Sequence, residues 1–290
     1  MNYIFHITVL LEVYILLALS ANQQVGLSGL LTMAQAVFYG VGAYTTAILM
    51  TRYGVSFWIT LPITVCVSFL AAIVVSYIAG RVRNLYFSLA TLSLQIIFFS
   101  AAYNWVGLTN GPYGISGISS PQFFGFAINT PGTFAVFGLI WVIAAVLFYG
   151  WFLKTPLSRM IEATRDDQIA VLSLGKNPTY YKTLSVALSA IVAGIAGSLY
   201  ATYTTYIDPT SFGLDESILI LSIVLIGGAG GLWGPISGAA IYILLPEILK
   251  FVHLPDSVAA NMRMIIFGLL LVPVVRFRPQ GILGKYQISQ

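Results

Sequence analysis

Residues 154–182 read Lys-Thr-Pro-Leu-Ser-Arg-Met-Ile-Glu-Ala-Thr-Arg-Asp-Asp-Gln-Ile-Ala-Val-Leu-Ser-Leu-Gly-Lys-Asn-Pro-Thr-Tyr-Tyr-Lys. Eight of the chain's 22 charged residues fall here: Lys154, Arg159, Glu162, Arg165, Asp166, Asp167, Lys176 and Lys182. A charge at the centre of a membrane helix costs about 2.5–3.5 kcal/mol on insertion scales, so this segment lies in water or against another protein. Its local signals predict one short helix. Thr155 is a capping residue, Pro156 suits the first helical position, Gly175 can end the run in a left-handed conformation, and Pro178 blocks continuation. At about 100° per residue, Leu157, Met160, Ile161, Val171 and Leu172 share one side, with Arg159, Glu162 and Asp166 opposite. One face can dock on membrane helices while the other meets a soluble partner; an ordinary solvated loop is the alternative.

Outward from this segment the chain is apolar. Of its 290 residues, 58% are hydrophobic and 8% charged, and the mean hydropathy is +0.91. Soluble domains carry about 25% charged residues, so the composition predicts an all-α polytopic membrane protein. No Lys or Arg precedes Glu12, which itself interrupts the first apolar run, so that run reads as a retained span rather than a secretory leader. The single cysteine, Cys66, excludes an intramolecular disulfide and a cysteine-rich metal site. The net charge of +4 makes no case for nucleic acid, because the basic residues cluster beside apolar runs as topology signals do.

Windows of about 20 residues span the hydrocarbon core. They predict crossings near 3–20, 30–51, 57–79, 85–106, 133–153, 183–207, 215–231, 235–251 and 259–275, about nine with a range of eight to ten. Arg276, Arg278 and Lys285 place the C-terminal tail in the cytoplasm, and counting back puts Arg81, Arg83 and residues 154–182 there too, between spans five and six. Outside connections then carry Arg52, Asp208, Asp215, Glu216 and Asp256, and the N-terminus lies outside.

Three stretches hold more glycine and small residues than a plain span needs. In Gly29-Leu-Leu-Thr-Met-Ala-Gln-Ala-Val-Phe-Tyr-Gly-Val-Gly42, helical spacing sets Thr32, Gln35 and Tyr39 on one face. Such a stripe can line a solute path or hydrogen-bond to a neighbouring helix. Gly107-Leu-Thr-Asn-Gly-Pro-Tyr-Gly-Ile-Ser-Gly117 opens a connection with no charged residue through 132, which fits a loop dipping into the protein, a docking loop, or a plain apolar surface loop. In Gly227-Gly-Ala-Gly-Gly-Leu-Trp-Gly-Pro-Ile-Ser-Gly238, small residues recur every four positions, which lets helix backbones approach closely or breaks the helix in a tight turn. Neither this stretch nor Gly281-Ile-Leu-Gly-Lys-Tyr286 has phosphate-loop spacing.

Glu12 and Glu247 fall in or near apolar runs, where a carboxylate serves as a proton relay or reaches a helix end and the interface. His6 and His253 have no ligand spacing around them. No Ser/His/Asp or paired-carboxylate arrangement points to catalysis, so the chain reads as a non-enzyme.

These stretches, in this order, resemble the membrane permease of ATP-binding-cassette importers for branched-chain amino acids, from about Val25 to Gly284. The matching segments are Gly29 to Tyr44, the Arg-x-Arg-x-Leu-Tyr-Phe-x-x-x-Thr-Leu pattern from Arg81 to Leu92, and the Asn-Gly…Gly-Ile-Ser-Gly loop. They continue with Arg165-Asp-Asp-Gln-Ile-Ala-Val-Leu-Ser-Leu-Gly175, Lys182, Ala193-Gly-Ile-Ala-Gly197, Gly227 to Ala239 and Arg278-Pro-Gln-Gly-Ile-Leu-Gly284. Gln168 stands where an acid is common, and Met33-Ala34 where smaller, more polar residues are.

The resemblance implies one permease domain over 1–290 in a prokaryotic cytoplasmic (inner) membrane, with a coupling segment, 154–182, docking in an ATPase groove. It implies a second homologous permease, two ATPase subunits that hold ATP and magnesium, an extracytoplasmic solute-binding protein, and no cofactor on this chain. Arg159, Glu162, Arg165, Asp166, Asp167 and Gly175 are the expected coupling residues. Thr32, Gln35, Tyr39, Thr91, Thr109 and Asn110 are the expected path residues. Relatives of this architecture also move urea and short amides. A self-sufficient channel or secondary carrier, coupled through Glu12 or Glu247, is the competing class.

Overall fold

The computed structural model describes residues 2–79, 85–123, 126–250, 268–269 and 280–284. Arg81, Arg83, His253, Asp256, Arg276, Arg278, Lys285 and the crossing expected near 259–275 lie outside the described residues.

Helices dominate: α1 (Asn2–Asn22), α2 (Gln35–Arg52), α3 (Phe57–Ala79), α4 (Leu85–Asn104), the one-turn α5 (Val106–Thr109), α6 (Pro131–Phe152), α7 (Pro156–Asp166), α8 (Gln168–Ser173), α9 (Pro178–Thr204), α10 (Leu214–Gly227) and α11 (Trp233–Lys250). Among the described residues the protein is all-α apart from two antiparallel pairs of two-residue strands in its connections. Among the described residues, five helices are long and apolar enough to cross a membrane: Tyr3–Leu27, Phe57–Ile78, Tyr86–Asn104, Pro131–Phe152 and Pro178–Thr204.

The bundle is built around α9, which packs on α2, α3 and α1, while α6, α10 and α11 pack on α1. Small residues make this possible. A Cβ on Gly42 would meet Gly194 O of α9 at 2.2 Å, and one on Gly197 would meet Tyr39 O of α2 at 2.1 Å. Apolar burial does not separate helix–helix from helix–lipid contact, so such backbone approach and interhelical hydrogen bonds carry the packing. Thr46 of α2 bonds Ser198 of α9 at 2.7 Å and Thr64 of α3 at 3.3 Å, all three fully buried. The outward faces of α3, α4 and α6 show large apolar side chains such as Leu70, Ile97 and Leu147.

The first two helices differ from their sequence-based bounds, as do α9, which starts at Pro178, and α10, which ends at Gly227. The expected crossing 30–51 becomes a helix only at Gln35; residues 29–34 are not helical. Instead Leu30 N donates to Gln24 O (2.9 Å), a local bond that closes the end of the preceding helix, and Met33 N donates to Thr91 Oγ1 (3.1 Å) of α4, a tertiary partner. Ahead of this reversal α1 continues into a π-helical turn, Gln23–Leu27.

At the opposite end of α2, Arg52 donates to Gly107 O and Leu108 O, both at 2.8 Å, and holds the start of the uncharged connection. Ile115–Ser116 of that connection pairs with Tyr206–Ile207 beyond α9, and Ile118 is buried. The loop therefore folds onto the end of the bundle. The third glycine-rich stretch serves both purposes foreseen for it. A Cβ on Gly227 would meet Gly234 O at 2.0 Å, so α10 and α11 touch through backbone, and Gly228 turns at φ +106°, closed to ordinary side chains. Residues 281–284 dock on this turn, with Ile282 N and Leu283 N donating to Ile226 O and Gly227 O, carbonyls that the end of α10 leaves open.

Candidate functional site

The coupling residues expected from sequence lie on α7, α8 and their flanks. Thr155 caps α7 with its hydroxyl accepting from Ser158 N (3.3 Å), Pro156 occupies the first turn, and Gly175 sits at φ +71° beyond α8. Ile161 is fully buried with Leu27 and Phe152, and Leu157 packs against them. Arg159 and Asp166 face outward, and Glu162 is half-buried.

The single helix expected over this run is two helices. Asp167 is extended (φ −149°, ψ +106°), and its Oδ1 accepts from Ile169 N (2.8 Å) and Ala170 N (3.1 Å), starting α8. A short acidic side chain that satisfies the next two free N–H groups favours a cap over helix continuation. The break rotates α8, so Val171 is buried but Leu172, expected beside it, is 57% exposed. Ile169 and Leu174 are 76% and 71% exposed. Three large apolar side chains thus stand out on α8 and at its end.

Arg165 turns inward. Its Nη1 donates to Gly26 O in the π-helical turn at 2.7 Å, its side chain is 18% exposed, and a Cβ on Gly29 would meet its Cγ at 2.8 Å. Its Nε lies 4.0 Å from Asp166 Oδ1. A π turn lifts carbonyls out of the regular ladder, which leaves Gly26 O free to accept a cationic donor. On its other side Gly26 is pressed against the glycine turn, where a Cβ would meet Gly230 N at 2.4 Å. Asn22 clamps that turn, accepting from Gly230 N (2.8 Å) and donating to Gly231 O (2.9 Å). Arg165, Gly26, Asn22, the Gly228–Gly231 turn and residues 281–284 form one connected set.

The expected path residues do not share one wall. Thr32, Gln35, Tyr39 and Thr91 are buried, but Thr32 precedes α2 and so leaves the helical face assigned to it; its hydroxyl accepts from Ala34 N (3.1 Å). Gln35 faces α1 and α9, donating to Ser20 and, at 3.4 Å, to Ser189. Gln24 joins them, donating to Ser189 Oγ at 2.8 Å. Tyr39 lies among rings, 5.5 Å from Tyr200 and 5.0 Å from Phe212. Thr91 holds Met33 N, while Gln95, one turn further along α4, bonds Phe212 O (2.7 Å) and accepts from Ser217 (3.3 Å). Thr109 and Asn110 sit at the far end of α4. Thr109 donates to Ala102 O (2.6 Å), and Asn110 takes a left-handed φ of +63° and donates to Gly114 O (2.8 Å).

Residues 3–275 match a family model described as branched-chain amino acid transport system / permease component. The chain belongs to this permease family. It is 33% identical to the high-affinity branched-chain amino acid transport system permease protein LivM of Salmonella typhimurium, over 93% of this chain and 68% of LivM. Identity to LivM of Escherichia coli is also 33%, over 96% and 69% of the two chains. The LivH permease of the Salmonella typhimurium system is 23% identical over 96% of this chain and 93% of its own. No solved structure matches.

The permease holds three features that the sequence reading leaves out. One is the apolar trio on α8, masked because helical periodicity without a break turns Leu172 inward. A second is the Gln23–Gln24 pair, fully buried in the π turn; no described protein group bonds the Gln23 amide. The adjacent glutamines before Gly26 were the available signal. The third is Glu216, expected in an outside connection, which enters the first turn of α10 and receives a hydrogen bond from Tyr14 of α1. Glu12 is 4% exposed and faces Gly138 of α6, where a Cβ would overlap its Oε2. Tyr3 donates to Glu247, and His6 Nδ1 pairs with Tyr203 at 2.7 Å. Asp208, in the connection before α10, is pushed up by partial burial. Bonds from Ser211 and Thr210 outweigh that and hold its carboxyl below the usual range.

Proposed function

We propose that this permease forms half of a translocation path for branched-chain or other apolar amino acids and is driven by separate ATPase subunits through α7 and α8. One observation carries the reading: a helix pair anchored inward by Arg165 on Gly26 and presenting Ile169, Leu172 and Leu174 outward. An ATPase that closes on ATP moves a membrane subunit only through contacts that differ between its two states. The apolar trio supplies burial, Glu162 and Asp166 carry charge on α7, and Asp167 and Gly175 set its shape; Arg159, expected with them, bends back to Lys154 O. Arg165 passes displacement to the π turn, into which α1 leads and against which the glycine turn packs.

The same reading takes 1–290 as one permease domain with about nine crossings and 154–182 as its coupling segment. The N-terminus lies outside and the C-terminus in the cytoplasm. A homologous second permease, two ATPases holding ATP and magnesium, and an extracytoplasmic binding protein complete the assembly; this chain binds no cofactor. The path borders Thr32, Gln35, Tyr39 and Thr91, with Thr109 and Asn110 at its outer end. The LivM relatives, named for branched-chain amino acids, support the solute class.

Reconstitution of the chain with its partner subunits, and uptake of labelled leucine and urea with and without ATP, tests the reading. ATP-dependent leucine uptake is expected. ATP-dependent urea uptake would keep the transporter class and replace the solute, and uptake by this chain alone without ATP would favour a carrier or channel.

A further inference from the structure

Where α6 ends and α7 begins, the surface holds a groove of about 660 Å³. Val146, Leu147, Gly150, Trp151, Leu153 and Lys154 line it from the end of α6 and just beyond, and Leu232 lines it from the α10–α11 connection. Its floor is open because residue 150 has no side chain; a Cβ there would approach only Leu232 Cδ2, at 4.0 Å. Leu147 and Trp151 are 67% and 65% exposed on a helix long and apolar enough to cross a membrane, so the groove opens sideways toward hydrocarbon. Trp151 and Lys154, at that helix's end, are the residue types that mark the headgroup level.

Lys154 lines the groove, and Arg159 reaches its backbone. The Arg159 guanidinium donates to Lys154 O at 3.5 Å, which brings its charge back over the start of α7. Among the described residues neither Lys154 nor Arg159 has an ion-pair partner, and no acid lines the groove. The 11-residue α7 begins here at Pro156, adding the positive end of a helix dipole. An apolar slot with Lys154 in its lining and Arg159 bonded to the Lys154 backbone is complementary to an amphiphile with an anionic head. A protein partner would need polar groups along the slot to match its own backbone, and the wall offers hydrocarbon.

We propose that this groove binds an anionic phospholipid, with one acyl chain between Gly150 and Leu232 and the phosphate on Lys154 and Arg159. The lipid would brace the junction from which the coupling helix leaves the membrane. The inference uses the membrane-spanning character of α6 and is independent of the solute transported.

The test is native mass spectrometry of the full chain assembled with its partner subunits, delipidated in detergent and titrated with phosphatidylglycerol or phosphatidylcholine. Phosphatidylglycerol should bind in clear preference. A basic residue near a membrane surface contributes about one kcal/mol toward anionic lipid, so the Lys154→Ala/Arg159→Ala pair should lower the preference about thirtyfold. Lys154→Arg should retain it. Gly150→Leu, which fills the slot and leaves both charges, should lower binding of the same lipid. Equal binding of the two lipids by the wild type, preference unchanged in the charge-removed or slot-filled variant, or displacement of the lipid by an equal concentration of inorganic phosphate would overturn the proposal.

Discussion

The guanidinium of Arg165, at the C-terminal end of α7, donates to the carbonyl of Gly26, 139 residues earlier in the chain, at 2.7 Å. The acceptor lies in a π-helical turn where α1 stops following the regular helical ladder, and the donor lies on a helix otherwise turned toward the surface. Gly26 also abuts the Gly230 turn, so a shift of α7 reaches α1 and the α10–α11 hairpin together.

The outward patch on α8 is predicted to hold the ATPase subunit. Replacing Ile169 or Leu172 with Asp should reduce ATPase co-purification roughly thirtyfold, the effect of losing an interface anchor of about 2 kcal/mol. Quantitative co-purification from detergent reads this. Ala163→Ser, elsewhere on the exposed surface of α7, should leave recovery unchanged.

Asp167 is expected to act through the backbone. Asp167→Asn keeps an oxygen for Ile169 N and Ala170 N and should preserve α8, whereas Asp167→Ala should destabilise it by about 1 kcal/mol, the usual value of an N-cap. Hydrogen exchange over residues 168–173 separates the two variants. Equal protection in both would show that the cap is dispensable. Charge reversal at Asp167 combines cap loss with charge change, so Glu162 and Asp166 are the cleaner positions for testing charge.

Packing of α2 on α9 depends on backbone approach. Gly42→Leu places a side chain where Gly194 O already stands, and overpacking of this kind costs about 1–3 kcal/mol or displaces the helices. Thermal unfolding in detergent should show a lowered midpoint, and Gly107→Ala, with open space around it and no left-handed φ, should show none.

Asp208 gives a pH dependence of known sign. Its carboxyl is held below the usual range, so it contributes stability above its unfolded pKa, and that contribution is lost as pH falls through the folded value. Asp208→Asn should therefore lower protection of residues 206–213 at pH 7, and the difference from wild type should shrink on acidification below the normal aspartate range. A difference that grows on acidification would contradict this.

Much of the helical plan is legible in the chain. Residues 57–79, 85–104 and 131–152 are long apolar runs with turn residues at their ends, and each becomes one helix near the expected bounds. The Lys154–Lys182 interruption and its caps at Thr155 and Gly175 are legible for the same reason: local chemistry decides them. The start of α2 is not, because Met33 N bonds Thr91, a partner that only the folded bundle brings near. Asp167 is ambiguous in sequence, a surface charge or a cap, and its two backbone bonds decide it. Gln35 is visible as a buried polar residue, but its direction toward Ser20 and Ser189 rather than Thr32 depends on how α1 and α9 pack.

The most direct measurement is leucine uptake per ATP hydrolysed by the reconstituted complex carrying Arg165→Ala. The patch on α8 is untouched by this change, so the ATPase should still assemble and hydrolyse ATP. Loss of a charged hydrogen bond worth about 1.5–3 kcal/mol should lower uptake per ATP by roughly tenfold or more. Wild-type uptake per ATP in a normally assembled Arg165→Ala complex would contradict the proposed route from α7 through Gly26.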